Sequence, residues 1–164
     1  MVRIKYVKII ALVAWMSIIF MMSHMPVETS WKLSGAVTSE VIHSVDNDNQ
    51  TDIDKNHNKI MGFTKDQINV FIRKIAHMGE FGVLFLLWYA VLVGKNKNVL
   101  LYSAILSIFY AMTDEFHQLF VQGRTANWVD VVVDSVGVLG GVVFIVIVKK
   151  IVNMVETKRL KPIN

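Results

Sequence analysis

The amino-acid sequence predicts an all-α, polytopic membrane protein with about four transmembrane helices and a short amphipathic helix in the first outer loop. Apolar residues make up 54% of the 164 residues and charged residues only 18%, whereas a typical soluble domain is about a quarter charged. The apolar residues fall in long blocks of the length that a bilayer requires. Lysines and arginines flank these blocks, as they do in membrane proteins whose topology they set. We therefore expect residues 1–164 to form one membrane domain.

Four apolar blocks are the predicted transmembrane spans. They cover approximately residues 4–23, 75–93, 99–118 and 128–148. The third block reaches the roughly 20 residues that a span needs only if its polar end, residues 113–118, belongs to the same helix. The first block has the basic start and apolar core of a signal peptide, but its exit lacks a small-x-small cleavage pattern. We expect it to remain as a spanning helix.

Basic residues beside the spans predict the orientation in the membrane. They precede span 1 (Arg3, Lys5 and Lys8), occupy the turn between spans 2 and 3 (Lys95 and Lys97), and follow span 4. With four spans these segments share one side, and the positive-inside rule assigns that side to the cytoplasm. We therefore expect a multi-pass protein of the plasma (cytoplasmic) membrane with both termini in the cytoplasm. Because the basic residues flank the apolar spans, we do not interpret the positive net charge as a sign of nucleic-acid binding.

The long outer loop, residues 24–74, should contain structure of its own. Ser30 can cap a short amphipathic helix, and residues 46–58 are acidic and Asn-rich, as in a linker. Thr64 and Gln67 have the spacing of a capping box, in which each side chain satisfies a free backbone donor at a helix start. We expect the helix that begins there to continue into span 2 without a break.

Three polar clusters lie at the predicted outer ends of the spans, where an ionisable group in hydrocarbon costs at least about 2.5–3.5 kcal/mol. They are Arg73, His77 and Glu80 in span 2, Asp114, Glu115, His117 and Gln118 in span 3, and Arg124, Asp130 and Asp134 at span 4. Offsets of three, four or seven residues bring the members of a cluster onto one helix face. Interfacial anchors, a polar helix end and purely structural ion pairs are the alternative interpretations.

If the spans are antiparallel neighbours, these clusters converge in one outer cavity. The two arginines would then meet anionic groups, because a guanidinium forks onto phosphate or carboxylate. Within the cavity we expect Arg73, Glu80, Asp114 and Asp130 to pair across helices, since a lone charge there is costly. A divalent metal is a further possibility, because histidine and carboxylate ligands suit zinc, manganese or iron. Its candidate ligands are His77, Glu80, Asp114 and His117.

Other catalytic signatures are absent from the sequence. It contains no cysteine, which excludes disulfides, thiolate metal sites and thiol nucleophiles. It has no phosphate loop, nucleotide fingerprint or serine nucleophile elbow. Gly137 and Gly141 form a Gly-x-x-x-Gly pattern on the face of span 4 that also carries the two aspartates. Such small residues let a neighbouring backbone approach closely, so this face should be a helix contact.

Several motifs together resemble the VanZ-like membrane protein family over roughly residues 10–148. They are Arg73-Lys74-Ile75-Ala76-His77-Met78-Gly79-Glu80-Phe81, Thr113-Asp114-Glu115-Phe116-His117-Gln118-Leu119-Phe120-Val121-Gln122-Gly123-Arg124, Asp130-Val131, and the glycines from Gly137 to Gly141. The segment from Met22 to Pro26, with Ser30 and Ser34, resembles the family's Ser-Ser-Gln-Pro-type segment after helix 1. This sequence departs from the family pattern at three positions, with His24 for the usual Gln, Met22 for Ser and Phe81 for the frequent Tyr.

The resemblance implies a role at the cell envelope, because the family's name-giving member is linked to resistance to the lipoglycopeptide teicoplanin. The outer cavity would then bind a lipid headgroup, a lipid-linked cell-wall intermediate or a lipoglycopeptide. The lipid bilayer is the expected partner, and an oligomer is possible. The alternative hypothesis is a metal-dependent intramembrane hydrolase or transferase that uses the histidines and carboxylates of the three clusters.

Overall fold

The computed structural model describes residues 2–48, 59–60, 63–95 and 97–159. Its elements, in chain order, are α1 (Val2–Ser23), α2 (Val27–Asp48), β1 (Lys59–Ile60), β2 (Phe63–Thr64), α3 (Lys65–Leu92), α4 (Val99–Gln118) and α5 (Trp128–Arg159). The two short strands pair antiparallel. Within the described part of the chain, four helices are long and apolar enough to cross a membrane, namely α1, α3, α4 and α5. The predicted helical, polytopic fold class is therefore confirmed.

Helix α3 begins at the predicted capping box and continues into the second span. The Thr64 hydroxyl accepts from the Gln67 backbone N–H, and the Gln67 side chain accepts from the Thr64 backbone N–H. The helix then runs for 28 residues, which is about 42 Å at 1.5 Å per residue. Because a hydrocarbon core is only about 30 Å thick, α3 is long enough to project beyond it. Helix α4 likewise includes its polar end and reaches 20 residues.

Three predicted helix boundaries were wrong. Helix α2 begins at Val27 rather than at Ser30, and it extends to Asp48, so the first residues of the predicted linker are helical. Pro26 directly precedes α2. The negative carboxylate of Glu28 in the first turn stabilises α2 by its interaction with the positive end of the helix dipole. The rest of that linker, residues 49–58, lies outside the described residues. Helix α5 continues past residue 148 to Arg159, because a polar, basic sequence can extend a helix beyond the bilayer.

Helix α3 is the centre of the bundle and packs against each of the other four helices. The buried core consists of Leu12 and Ile19 from α1, Phe81, Leu84 and Phe85 from α3, Ala111 from α4, and Val138 from α5. Hydrogen bonds also join α1 to its neighbours. The Trp15 indole donates to the Glu80 carbonyl at 3.0 Å, and the Tyr110 hydroxyl donates to the Met16 carbonyl at 2.7 Å. Helix α1 is therefore an integrated part of the bundle.

Glycines allow α3 and α5 to approach each other closely. A methyl group on Gly137 would overlap the carbonyl of Met78, and one on Gly141 would lie 3.2 Å from the Gly82 carbonyl oxygen. A methyl group on Gly140, the adjacent glycine, would meet nothing within 4 Å. The predicted close helix contact at the Gly-x-x-x-Gly pattern is therefore present, and it joins α5 to α3.

The bundle has two chemically different ends. One end carries Ser23, Asp114 and Asp130, and we call it the polar end. The other carries Lys5, Lys95 and Lys149, and we call it the basic end. Between them, large apolar side chains such as Ile10, Phe109 and Leu139 remain exposed on the outer faces. Exposed apolar surface on this scale is expected of helices that are surrounded by lipid.

Candidate functional site

Seven of the ten predicted site residues line one cavity of about 160 Å³ at the polar end, which we call the polar cavity. They are Arg73, His77, Glu115, Gln118, Arg124, Asp130 and Asp134, and Val70, Lys74 and Val133 complete the lining. The residues come from α3, α4, α5 and the loop between α4 and α5. Because one water needs roughly 15 Å³ of such volume, the cavity has room for a compact polar group.

A second, more apolar cavity of about 230 Å³ lies directly beside the first, and we call it the apolar groove. It is lined by Met22, Met25, Ser30, Leu33, Ser34, Val37, Ile72, Arg73, Ala76, His77, Glu80 and Arg124. Arg73, His77 and Arg124 line both cavities. The three basic side chains therefore stand at the junction between a polar and an apolar space.

Arg73 is half-buried at this junction and has no hydrogen-bond acceptor or carboxylate at ion-pair distance among the described residues. Its guanidinium lies over the ring of Trp31, 5.7 Å from the ring centroid. A cation over an aromatic face is stabilised by about 0.5–2 kcal/mol, but this contact uses none of the five N–H donors of arginine. Those donors remain available to a bound group.

Arg124 is partly committed to structure. Its Nε donates to the Met25 carbonyl at 3.1 Å and its Nη2 to the Met22 carbonyl at 3.3 Å. These are carbonyls at the end of α1, where a helix leaves its last acceptors unsatisfied. Burial lowers the pKa of Arg124 below its ordinary value, and the nearby charge of Arg73 lowers it further. The two guanidinium groups thus repel each other, and the nearby carboxylates of Asp114, Glu115 and Glu80 partly offset the effect on the pKa of Arg124.

Of Arg73, Glu80, Asp114 and Asp130, which were expected to pair across helices, only Asp130 forms an ion pair with another helix among the described residues, and its partner is not one of the other three. Asp130 pairs instead with Lys74 at 3.8 Å, with both side chains more than two-fifths exposed, so this pair contributes at most about 1 kcal/mol. Glu80 lies 3.5 Å from the His77 ring nitrogen. The carboxylate of Asp114 accepts hydrogen bonds from neutral side chains. Residue offsets along a single helix cannot identify partners that come from other elements.

Asp114 joins the end of α1 to α4. One of its oxygens, Oδ2, accepts from the Ser23 hydroxyl at 3.0 Å and from the Gln118 amide at 3.1 Å. Its other oxygen, Oδ1, is buried and has no hydrogen-bond partner. Ser23 was not among the predicted site residues, although it lies in the segment after helix 1 that resembles a family motif.

His117 points toward α1 and does not line either cavity. Its Nε2 lies 3.2 Å from the Nδ1 of His24, and one ring N–H donates a hydrogen bond to the other ring nitrogen. Phe20 packs beside His117 with ring centroids 4.4 Å apart. The contact joins the ends of α1 and α4, and His24, where the family usually has Gln, was not among the predicted site residues.

Glu115 both lines the polar cavity and holds the start of α5. Its Oε1 accepts the backbone N–H of Asn127, directly before α5. The Asn127 side chain in turn accepts the backbone N–H of Val129 at 3.1 Å. These bonds satisfy donors that a helix start leaves free, and they place Asp130 and Asp134 over the cavity.

Asp134 lines the polar cavity with an unsatisfied carboxylate. Its side chain is 4% exposed, and its Oδ1 has no hydrogen-bond partner. The Oε2 of Glu80, at the edge of the apolar groove, is also buried and makes no hydrogen bond, although it lies 3.5 Å from the His77 ring nitrogen. The site therefore offers spare acceptors as well as the spare donors of Arg73. A ligand that pairs with these atoms would remove the cost of about 1–3 kcal/mol that each unpaired buried polar group carries.

The four candidate metal ligands do not form a common set. His77 lies beside Glu80, Asp114 is hydrogen-bonded to Ser23 and Gln118, and His117 contacts His24. In the part of the chain that the structure describes, no three histidine, aspartate or glutamate side chains are grouped to hold a metal ion. The geometry therefore gives no support to the metal-dependent alternative.

The family motifs identified in the sequence surround this site. The profile of the family described as VanZ/LLP1 matches residues 8–149, which is most of the chain and includes every residue that lines the polar cavity. No curated protein and no solved structure matches the sequence. The chain is a membrane protein of the VanZ/LLP1 family.

Proposed function

We propose that this protein binds an amphiphile with an anionic head group at the outer leaflet of the cytoplasmic membrane. The candidate ligands are a lipid headgroup, a lipid-linked cell-wall intermediate or a lipoglycopeptide of the teicoplanin type. The observation that carries the proposal is the position of Arg73, whose donors are unused at the junction of the polar cavity and the apolar groove.

The two arginines would recognise the anion. Arg73 can present a planar, bidentate pair of donors, which matches the oxygen geometry of phosphate and carboxylate. The fixed position of Arg124, bonded to the end of α1, holds a second positive charge nearby. An anion between the two groups would gain two charge-assisted contacts and reduce their mutual repulsion.

The unsatisfied carboxylates indicate that the head group also carries donors. A buried Asp134 oxygen without a partner repels a bare phosphate, but it would accept from a hydroxyl or an amine. Gln118 lines the same cavity and can donate or accept. A sugar-bearing or amine-bearing anion satisfies both halves of the site, and this composition favours a cell-wall intermediate or a glycopeptide over a simple phosphate.

The apolar groove would hold the hydrocarbon chain of the ligand. Its walls come from the end of α1, from α2 and from α3, and they include Met22, Leu33 and Ile72. Leu33 and Val37 of α2 are also largely exposed, so the groove is continuous with an apolar surface. A ligand could therefore remain partly in the lipid while its head group reaches Arg73.

Trp31 provides a direct test, because it stacks on Arg73. We expect teicoplanin and a short-chain lipid-linked cell-wall precursor to change the Trp31 fluorescence of the purified protein in nanodiscs, with Trp15, Trp88 and Trp128 replaced by Phe. Vancomycin, which lacks the acyl chain, should bind more weakly. Arg73→Lys keeps the charge but loses the planar fork, and we expect it to weaken binding about tenfold or more.

Lys65→Gln is the matched control for the binding test, because Lys65 starts the same helix but lines neither cavity. It should bind as the parent protein does. The proposal is wrong if none of the amphiphiles binds, or if Arg73→Lys and the parent protein have equal affinities.

A further inference from the structure

A third cavity lies at the basic end, on the opposite side of the bundle from the proposed head-group site. It occupies about 420 Å³ between the start of α1 and the end of α3. Three lysines, Lys5, Lys8 and Lys95, stand around a wall that includes Ile4, Val91 and Val93. We call this cavity the lysine groove.

The lysines of this groove have no anionic partner in the described part of the protein. No described carboxylate lies at ion-pair distance from any of the three. The sequence explains why, because residues 1–27, 81–113 and 135–155 contain no aspartate or glutamate. Lys5 and Lys8 are three apart on one face of α1, where like charges repel.

A fourth lysine adds to the positive charge of this end. The Lys149 ammonium lies over the ring of Tyr89, 5.3 Å from the ring centroid. Tyr89 directly precedes Ala90, which lines the groove. The aromatic face orients the ammonium but does not neutralise it. Several cations therefore surround an apolar wall without a protein counter-ion.

We propose that the lysine groove binds an anionic phospholipid of the leaflet at the basic end. The ammonium groups would meet the phosphate, and the apolar wall would meet the upper part of an acyl chain. Basic pockets between transmembrane helices bind lipid head groups in this way. A phospholipid suits the groove better than a free phosphate, because the wall of Ile4, Val91 and Val93 would contact only the lipid.

Native mass spectrometry of the full-length protein tests this assignment. The protein is released from micelles that contain equal amounts of phosphatidylglycerol and phosphatidylcholine. We expect one phosphatidylglycerol to remain bound preferentially. Each Lys→Gln change in the groove should weaken retention about fivefold, so the K5Q/K8Q/K95Q variant should lose about 100-fold.

A matched variant removes the same charge from the same end. Arg3, Lys97 and Lys150 do not line the groove, so R3Q/K97Q/K150Q should retain the lipid as the parent does. The Lys→Arg version of the groove variant should also retain it, which separates loss of charge from loss of folding.

Three outcomes would overturn the proposal. They are equal loss in the groove and control variants, equal retention of phosphatidylcholine, and full displacement by soluble glycerol phosphate at the same concentration. The first would indicate diffuse surface charge, the second an uncharged annular lipid and the third a site that ignores the acyl chain. A phosphatidylglycerol bound in the polar cavity would be retained by the K5Q/K8Q/K95Q variant, so a loss on these substitutions reports the lysine groove and not the proposed head-group site.

Discussion

The polar side chains at the polar end perform two different tasks. Asp114, Glu115 and Arg124 are bonded to the ends of neighbouring helices, and each of these bonds joins two elements. Arg73 and Asp134, in contrast, line the polar cavity with unused hydrogen-bonding atoms. A substitution in the first group will therefore affect folding and binding together, whereas one in the second group can separate them.

Asp134→Asn is the substitution that should separate stability from binding. It replaces a buried carboxyl group, whose Oδ1 has no hydrogen-bond partner, by an amide of similar size that cannot ionise. We expect the free energy of unfolding to rise, because a buried charge costs more than a buried amide. The same change should weaken the binding of an amine-bearing or hydroxyl-bearing ligand. Thermal unfolding followed by tryptophan fluorescence measures the first effect, and the Trp31 titration measures the second.

Asp66→Asn is the control for this prediction. Asp66 is exposed in the first turn of α3, where a negative charge favours the helix N-terminus by about 0.3–1 kcal/mol. Its loss should lower stability slightly and leave binding unchanged. A fall in stability on Asp134→Asn would show that its carboxylate is stabilised in the folded protein, which contradicts the prediction.

The membership of the site was more predictable from sequence than its bonding. Offsets of four and seven residues placed His77 and Glu80 on the face of Arg73, and both now line the apolar groove with it. The actual partners, such as Ser23 for Asp114, come from distant elements. Helical periodicity describes one helix at a time, so it cannot identify contacts that depend on how α1 and α4 are packed.

Among the elements, α3 has the widest set of roles. It packs in the centre of the bundle, carries Arg73 and His77 into both cavities, and receives α5 at its glycines. Its start was predictable because a capping box is a local pattern. The length of α2 was not, because polar residues 46–48 are equally compatible with a solvated helix and with a linker.

Gly137→Ala should disrupt the contact between α3 and α5. The added methyl group would overlap the Met78 carbonyl, which belongs to a rigid helix backbone, and overpacking of this kind typically costs about 1–3 kcal/mol. We expect a lower unfolding temperature and weaker ligand binding, because Asp134 lies one turn earlier on the same face. Size-exclusion chromatography and thermal unfolding in one detergent measure the change.

Gly140→Ala is the matched control for the helix contact, since the new methyl group would meet nothing within 4 Å. It should be neutral or slightly stabilising, because alanine is the better helix former. If Gly137→Ala and Gly140→Ala unfold at the same temperature, the close contact between the two helices is not present in the membrane protein.

At the scale of the whole molecule, charge is distributed along the bundle axis. The polar end carries most of the carboxylates together with Arg73 and Arg124, whereas the basic end carries lysines without described carboxylate partners. The positive-inside rule assigns the lysine-rich end to the cytoplasm. The head-group site would then face outward and the lysine groove inward.

Single-cysteine labelling tests that orientation without background, because the sequence contains no cysteine. Gln122→Cys lies in the exposed loop between α4 and α5, and Asn153→Cys lies in the exposed final part of α5. A membrane-impermeant maleimide should react with the first in intact cells and with the second only after permeabilisation. The reverse pattern would contradict the proposed outward position of the polar cavity.

The last prediction concerns growth under glycopeptide antibiotics. Teicoplanin has an acyl chain that can enter the bilayer, whereas vancomycin lacks one, so an outer amphiphile site should affect teicoplanin more. In a strain that depends on this protein for protection, we expect Arg73→Lys to abolish protection against teicoplanin. Growth under vancomycin should hardly change.

Glu115→Gln, His117→Ala and Arg124→Lys should also reduce protection against teicoplanin. Their bonds to Asn127, His24 and the end of α1 mean that they act partly by loosening the site. Arg73→Lys breaks no hydrogen bond to a described residue, so its effect on growth reports recognition of the anion. The controls are equal expression of the variants on immunoblots and parental growth of the Lys65→Gln strain. Parental resistance in the Arg73→Lys strain would exclude bidentate anion binding as the basis of protection and leave the polar cavity a structural feature of the bundle.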